Sequence, residues 1–521
     1  MSPKIIPPQK ASCVPENSIL NRALLPLVLV LIGLLCFIAA YWFTFSIDAD
    51  EIEHAHVTWA LGQNILPYRD IHQIHTPFLW MIFWPVVHWM PKHIDTMLVL
   101  RGFCLLAFSG VFFVGLRVLR EISGTTKLLP SLVLFLFFLS MLLTCDFYKF
   151  RPDPFMSLCS AFAILAAVRM RFAPRSYSFL SGIALGFAAS FSPKMALLCL
   201  LVPVLCVLEC FRLKTWRPLT LVFWNGLGFI VGILPVVLWL LSHGLFNLFW
   251  GWVVRDTTHM INAIWTREAL EQSITVCAHP LAWAIVASVF LLQKQWHAPG
   301  VPWSPTNGLV VAAVLTLSIV VIEPNHLPYN IEAFVMPASV LGVVFVTELK
   351  EMTACSRSFR LAMISVVLGV SIIPSLLYAS IYGVGLRELQ TLIELCSSED
   401  ATCVGCAPYH PIFCRDASDV YLWWDYGFAI AAMVPPAERQ KYIDMWPRVV
   451  SDIETATPTL VVVPLTLMAP QSGLVSAEQY RRAMKTLETR YDCVAVLPPL
   501  NVSAFLKKGT KSQHPIEQHR P

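Results

Sequence analysis

The chain has 521 residues, 56% of them hydrophobic and 13% charged, with a formal net charge of +4. A soluble domain averages about 25% charged residues, so most of this chain belongs in a bilayer, and so small a charge argues against a nucleic-acid partner, which would want a concentrated basic face. The length still leaves room for a water-soluble domain of ordinary size.

The first apolar run, 24–46, is longer than the roughly 7–15 residues of a signal-peptide core, and no small-residue cleavage site follows it. It is therefore expected to stay as a span. Segments approaching the roughly 20 apolar residues of a crossing recur at 98–116, 128–145, 154–170, 176–191, 195–211, 219–241, 279–293, 307–322, 328–348 and 359–382. Lys and Arg favour cytoplasmic loops. Lys4, Lys10 and Arg22 place residues 1–23 inside, and further basic loops surround Arg117, Arg171, Lys214, Lys294 and Arg357.

Residues 78–90 (FLWMIFWPVVHWM) are too short to cross, and a crossing there would move every later basic loop outside. They read as a juxtamembrane or re-entrant helix, with Trp80, Trp84 and Trp89 suited to the interface and Pro77, Pro85 and Pro91 as punctuation. The resulting fold class is a polytopic α-helical membrane protein of about 11 spans within 24–384. Its loops 47–97, 146–153, 192–194, 242–278 and 323–328 then share one extracytoplasmic face with everything beyond 385.

The unusual residues sit in these outer loops. The first carries IDADEIEHAH, then YRDIHQIHTPF. Asp50 and Glu51 open a predicted helix whose Ile52, Ala55, Trp59 and Leu66 form an apolar stripe for lying on a membrane. Asp50, Glu53 and His54 fall on another face. Three readings stay open. Asp-x-x-Glu before an apolar-periodic run is a capping-box-like start. A carboxylate at the membrane surface serves as a general base toward an acceptor hydroxyl. Asp48, Asp50, Glu51 and His54 also form a candidate divalent-metal set, although no defined motif such as H-E-x-x-H is present.

The next outer loop holds Tyr148, Lys149, Arg151 and Asp153, and Phe191-Ser192-Pro193-Lys194 adds another outer cation. Lys149 and Arg151 read either as snorkelling side chains or, with Lys194, as a cradle for a phosphate leaving group. Arg255 and His259 lie in a longer loop that either covers a lipid tail or forms an interfacial helix. His326, between Pro324 and Pro328, sits in a Pro-bounded turn or a polar site.

Residues 385–507 read as a small extracytoplasmic α/β domain. Strand-like runs occur at 402–407, 460–464 and 493–498, and helical pieces near 437–454 and 477–490. Cys396, Cys403, Cys406, Cys414 and Cys493 favour structural disulfides over zinc or redox chemistry. Asn501-Val502-Ser503 fits a glycosylation acceptor. Residues 508–521 form a polar tail, predicted to be disordered.

An Asp-Glu pair in the first outer loop, Tyr-Arg-Asp, His-Thr-Pro-Phe and then Arg-Pro-Asp in the next outer loop resemble the GT-C membrane glycosyltransferases. The nearest branches are protein O-mannosyltransferase-like and lipid A aminoarabinose transferase-like. The resemblance is best over 40–200, diffuse to about 380 and weak beyond. It implies inverting transfer of a sugar from a polyprenyl-phosphate donor to an extracytoplasmic glycolipid, polysaccharide or protein, in a multi-pass protein of a bacterial inner or plasma membrane. It also implies Asp50 as base with Glu51 beside it, Asp153 as the second acid, and Lys149, Arg151 and Lys194 on the donor phosphate. Asp48, His54, His72, His75, Tyr148, Arg255, His259 and His326 are the candidate substrate contacts. No cofactor beyond the candidate divalent ion is implied. The rival reading is a transporter or flippase of a lipid-linked sugar, which predicts ionisable groups at mid-bilayer and broken helices in repeated halves. The charges here gather at one face.

Overall fold

The computed structural model describes residues 46–71, 73–123, 147–256, 305–322, 332–352, 384–398, 400–405, 410–417, 445–455, 458–463, 476–497 and 502–510, with 131, 134, 135 and 138. The expected spans at 279–293 and 359–382, most of 24–46 and 128–145, and His72, His259 and His326 lie outside the described residues.

The chain enters on a short strand β1 (Ser46–Ile47) and turns into α1 (Ala49–Gly62). Asp48 caps this helix in a reciprocal box with Glu51, so two of the orphan amides at its start are satisfied and negative charge sits at its positive end. Helix α2 (Phe78–Trp89) is 12 residues long with Pro85 inside, and α3 (Asp95–Ser123) runs for 29. Helices α4 (Pro152–Arg169) and α5 (Pro174–Phe191) both begin on a proline, where a missing N–H costs nothing. A 3-10 segment (Pro193–Leu200) leads into α6 (Leu201–Leu213), followed by α7 (Thr220–Ser242) and the short α8 (Phe246–Phe249), which runs into a π-helical turn (Trp250–Asp256). Helices α9 (Pro305–Ile322) and α10 (Glu332–Met352) complete the helical part. Among the described residues, three helical segments, 95–123, 193–213 and 217–242, are long and apolar enough to cross a membrane.

Helix α1 departs from the expected membrane-lying stripe. Every residue from Glu51 to Ala60 is buried, charged ones included. The protein itself surrounds the helix: Trp80 of α2 bonds His54 on one side, and His56 reaches the C-terminal region on the other. Its polar residues are therefore inward groups with fixed partners.

Beyond residue 384 the described elements are short helices and strands: β2 (Val384–Gly385), α11 (Leu386–Leu395), β3 (Thr402–Val404), β4 (Arg415–Asp416), α12 (Met445–Thr455), β5 (Leu460–Val463), α13 (Ala477–Arg490), β6 (Tyr491–Leu497) and β7 (Val502–Lys507). Five of the strands form one mixed sheet in the order β4-β3-β5-β7-β6. Strand β5 is buried throughout, as the centre of a sheet covered on both faces requires. Among the described residues, this region docks on the helical part at three points. Strand β2 pairs with β1 just before the α1 cap, the Gln390 side chain accepts from the Ile94 amide at 3.0 Å, and Asp416 holds His56 at 2.9 Å.

Helices α5 and α7 pack backbone to backbone. A Cβ on Gly182 would stand 2.0 Å from the Asn225 carbonyl oxygen, and one on Gly228 would stand 2.1 Å from that of Phe179. Gly186 and Gly232 face each other one turn further along. Small residues at this spacing allow close approach where lipid supplies no hydrophobic drive between helices. Ser178 and Asn225 add hydrogen bonds across the same seam, to the Leu221 and Ser178 carbonyls. Gly182→Val is expected to force the helices apart, costing at least about 2 kcal/mol and lowering the thermal midpoint of the detergent-solubilised protein. Gly226→Val, where a Cβ meets open space, should leave that midpoint unchanged.

Candidate active site

The site grows from the first turn of α1. The Glu51 carboxylate accepts from Arg101 Nε at 2.8 Å and Nη2 at 2.6 Å, from the Phe150 amide at 3.0 Å and from the Asp48 amide at 3.3 Å. Glu51 and Arg101 are both fully buried, and Arg101 also lies over the Tyr148 ring at 5.4 Å. Every lone-pair direction of this carboxylate is engaged. The Glu51 expected beside the base is a tether that joins α1, α3 and the 147–151 turn.

The remaining acids meet the expected cations. Asp48 Oδ2 contacts Lys149 Nζ and Arg151 Nη2, each at 2.8 Å, and the same Arg151 nitrogen reaches Asp50 Oδ2 at 2.8 Å. Lys194 pairs with Asp153 at 2.9 Å. Lys149, Arg151, Asp153 and Lys194, read from two separate outer loops, thus converge with Asp48 and Asp50. Arg255 lies on the π-helical turn and is exposed.

The loop after α1 brings in a further wall. Tyr68 sits in the left-handed region at φ 68°, its ring against Trp80 and Phe249 and its hydroxyl donating to the His75 carbonyl. Thr76 anchors the loop by donating to the Phe191 carbonyl at 2.6 Å. His75 is placed 4.8 Å, ring to ring, from His54, with its Nε2 3.8 Å from Glu53 Oε1.

Burial acts on all of these groups, and their neighbours separate them. It would raise the Asp48 carboxyl, but Arg151 and Lys149 outweigh it and hold Asp48 well below the usual carboxylate range. Burial raises Asp50 above its ordinary 3.8; Arg151 opposes this, and the charges of Asp48 and Asp153 add to it. Glu53 is pushed well above 4.5 by burial and then by Asp50. Burial depresses His54 far below 6.5 and takes His75 down to about 4, against the pull of Asp153. Adjacent acids are thereby driven apart: Asp48 holds its charge more firmly than an ordinary aspartate, and Asp50 takes up a proton more readily.

The donor sets do not suit a metal ion. Asp48 and Glu51 are engaged by cations and amides. Glu53, His54 and His75 place their donor atoms within 4.8 Å of one another. However, His54 Nδ1 accepts from the Trp80 indole at 3.2 Å, so in the neutral ring Nε2 carries the hydrogen and offers no lone pair. The second such group, His56, His410 and Asp416, fails for the same reason. His410 Nδ1 accepts from the Ile412 amide at 3.0 Å, and its Nε2 lies 2.9 Å from Asp416 Oδ1 as the donor.

Arg101 and the His56–Asp416–His410 cluster are absent from the residues expected from sequence. A lone Arg inside an apolar run is a recognisable signal; the docking cluster, with partners some 360 positions apart, has none.

No family model matches the chain, and no curated protein matches its sequence. Solved structures do. ArnT from Cupriavidus metallidurans bound to undecaprenyl phosphate is 12% identical, with a TM-score of 0.57 over 92% of this chain and 98% of that one. The apo state of the same protein gives 13%, 0.51, 93% and 98%. The oligosaccharyltransferase AglB from Archaeoglobus fulgidus, in complex with an inhibitory peptide and a dolichol-phosphate, gives 12% and 0.49 over 94% of this chain and 75% of that one. The chain has the GT-C fold of membrane glycosyltransferases.

Removing one partner of a buried ion pair costs about 3–5 kcal/mol, whereas replacing both with apolar residues is often near neutral. Arg101→Met should therefore lower the melting temperature more than the double variant Arg101→Met/Glu51→Leu. If the two fall equally, the pair does not carry the tether.

Proposed function

We propose that this protein is an inverting glycosyltransferase that moves a sugar from a polyprenyl-phosphate donor to an acceptor hydroxyl on the extracytoplasmic face. The observation that carries the reading is a single buried cluster. It holds an acid with a raised proton affinity, Asp50, in direct contact with a cation, Arg151, and beside Lys149.

The chemistry follows from that arrangement. Without substrate, the cations are neutralised by Asp48, Asp50 and Asp153. A donor phosphate offers Lys149, Arg151 and Lys194 a second anion, and Arg151 can shift from Asp50 toward it. Asp50 then faces the acceptor hydroxyl. As that oxygen bonds to the anomeric carbon, its proton passes to Asp50. The bond from the anomeric carbon to the phosphate oxygen breaks on the opposite side, and the charge left on the lipid phosphate is held by the three cations. Asp48 stays ionised throughout and keeps Lys149 and Arg151 in place. The donor carries its own leaving group, so the site needs no nucleotide.

The acceptor class (glycolipid, polysaccharide or protein), the multi-pass topology with residues 385–507 outside the membrane, and the roles of Tyr148, His54 and His75 as substrate contacts belong to this proposal. Transfer in membranes supplied with polyprenyl-phosphate sugars and envelope acceptors should fall about 10²–10⁴-fold in Asp50→Asn. The active form of Asp50 is the carboxylate. Its raised affinity for the proton means that activity should rise with pH through an apparent pKa above 3.8 and then level off. Unchanged transfer by a folded Asp50→Asn would rule out this base. Movement of a lipid-linked sugar across the bilayer without transfer would favour the flippase.

A further inference from the structure

One turn beyond Asp50, the cluster changes character. Glu53 is buried, with 1% of its side chain exposed, and neither carboxylate oxygen has a hydrogen-bond partner. Gln73 is fully buried, and neither its amide nitrogen nor its amide oxygen is bonded. The Gln73 amide faces Glu53 without closing a hydrogen bond. His75, its side chain 35% exposed, lies beside them with Nε2 3.8 Å from Glu53 Oε1. Buried polar side chains are satisfied in the large majority of cases, and leaving one unmade costs about 1–3 kcal/mol. Two adjacent residues with four orphaned atoms are a standing cost in the free protein, and a bound polar molecule would remove it.

Position says which molecule. Along α1 the order is Asp48, which holds Lys149 and Arg151; then Asp50, which shares Arg151; then Glu53. Asp50 and Glu53 are three residues apart, on one face and about 4.5 Å along the axis. A phosphate on the cations therefore directs the group attached to it past Asp50 and toward Glu53. In a polyprenyl-phosphate sugar that group is the sugar ring, whose hydroxyls both donate and accept. Glu53 and Gln73 match it: a carboxyl that accepts, and an amide that does both.

Resting on the glycosyl-transfer reading, we infer that Glu53 and Gln73, with His75 beside them, form the subsite that binds the hydroxyl groups of the transferred sugar. The acceptor approaches Asp50 from elsewhere. Asp48, Lys149 and Arg151 hold the phosphate, and Glu53 and Gln73 read what hangs from it. A site built to hydrogen-bond a hydroxyl also rejects analogues that lack it.

The test uses the full chain in nanodiscs. Its probes are undecaprenyl phosphate alone and undecaprenyl phosphate bearing a hexose, a pentose or an amino sugar. For the wild type, at least one sugar should tighten binding about tenfold or more over undecaprenyl phosphate alone. In Gln73→Leu and Glu53→Met that gain should vanish while undecaprenyl phosphate binds as before. Both variants should also melt at or above the wild-type temperature, because they remove unmet polar atoms rather than bonds. Three results would overturn the inference: a sugar increment that survives in the variants, equal loss of undecaprenyl phosphate affinity, or a lower melting point with a stoichiometric divalent ion released. Failure of the wild type to bind undecaprenyl phosphate at all would remove the donor reading itself, a result visible before any variant is made.

Discussion

Everything in the site hangs on a carboxylate whose acceptor positions are already filled by protein. Fully buried, Glu51 accepts four hydrogen bonds, two of them from a guanidinium on another helix. Neither partner of such a pair can be left alone without a large desolvation cost. The first turn of α1, the second turn of α3 and the turn before α4 are therefore held in one geometry. Phe150 is part of that tether through its amide, and its neighbours Lys149 and Arg151 carry the cations that meet Asp48 and Asp50.

The same few residues show how one helix turn sorts acids into different tasks. Asp48, Asp50, Glu51 and Glu53 lie within six positions and are all shielded from solvent. What separates them is the count of partners. Asp48 has two cations and the Glu51 amide, and stays ionised. Asp50 shares one cation with Asp48 and feels like charge from Asp48 and Asp153, so it takes up a proton more readily. Glu53 has no cation within hydrogen-bond distance, only the His75 ring at 3.8 Å and the Gln73 amide facing it, and burial makes it protonate well above its ordinary value.

Much of this could be read from the residues in order. The crowding of acids after an apolar run, and the outer cations at Lys149, Arg151 and Lys194, pointed to one cluster, and the structure brings those side chains together. The roles within the cluster were less legible. Asp50 and Glu51 are adjacent in sequence, and only the third dimension shows that Glu51 is saturated by Arg101. The apolar stripe through Ile52, Ala55 and Trp59 is real, but it meets protein all round because α2 and the C-terminal region cover what periodicity assigned to lipid. Orphaned atoms, such as those of Glu53 and Gln73, are invisible in a sequence, since they are defined by partners that fail to arrive.

The C-terminal region bears on the site through α1. His56 lies two residues beyond His54 and three beyond Glu53, and both of its nitrogens are taken up from outside the helical part. Nδ1 lies 2.6 Å from the Ile412 carbonyl, which can only accept, so that nitrogen must carry a proton; Nε2 faces the Asp416 carboxylate. With both nitrogens facing acceptors, His56 is held as a cation: burial opposes its charge, Asp416 outweighs burial, and the imidazole is raised above its ordinary 6.5. Asp416 is tied on its other side to His410, so the contact is rigid from the sheet inward. A helix fixed at its first turn by Glu51 and at its second by His56 cannot rotate or slide. Asp48 and Asp50, at the start of that helix, can therefore keep an uneven share of cations without relaxing toward the nearest one, and that unevenness is what makes Asp50 chemically different from Asp48.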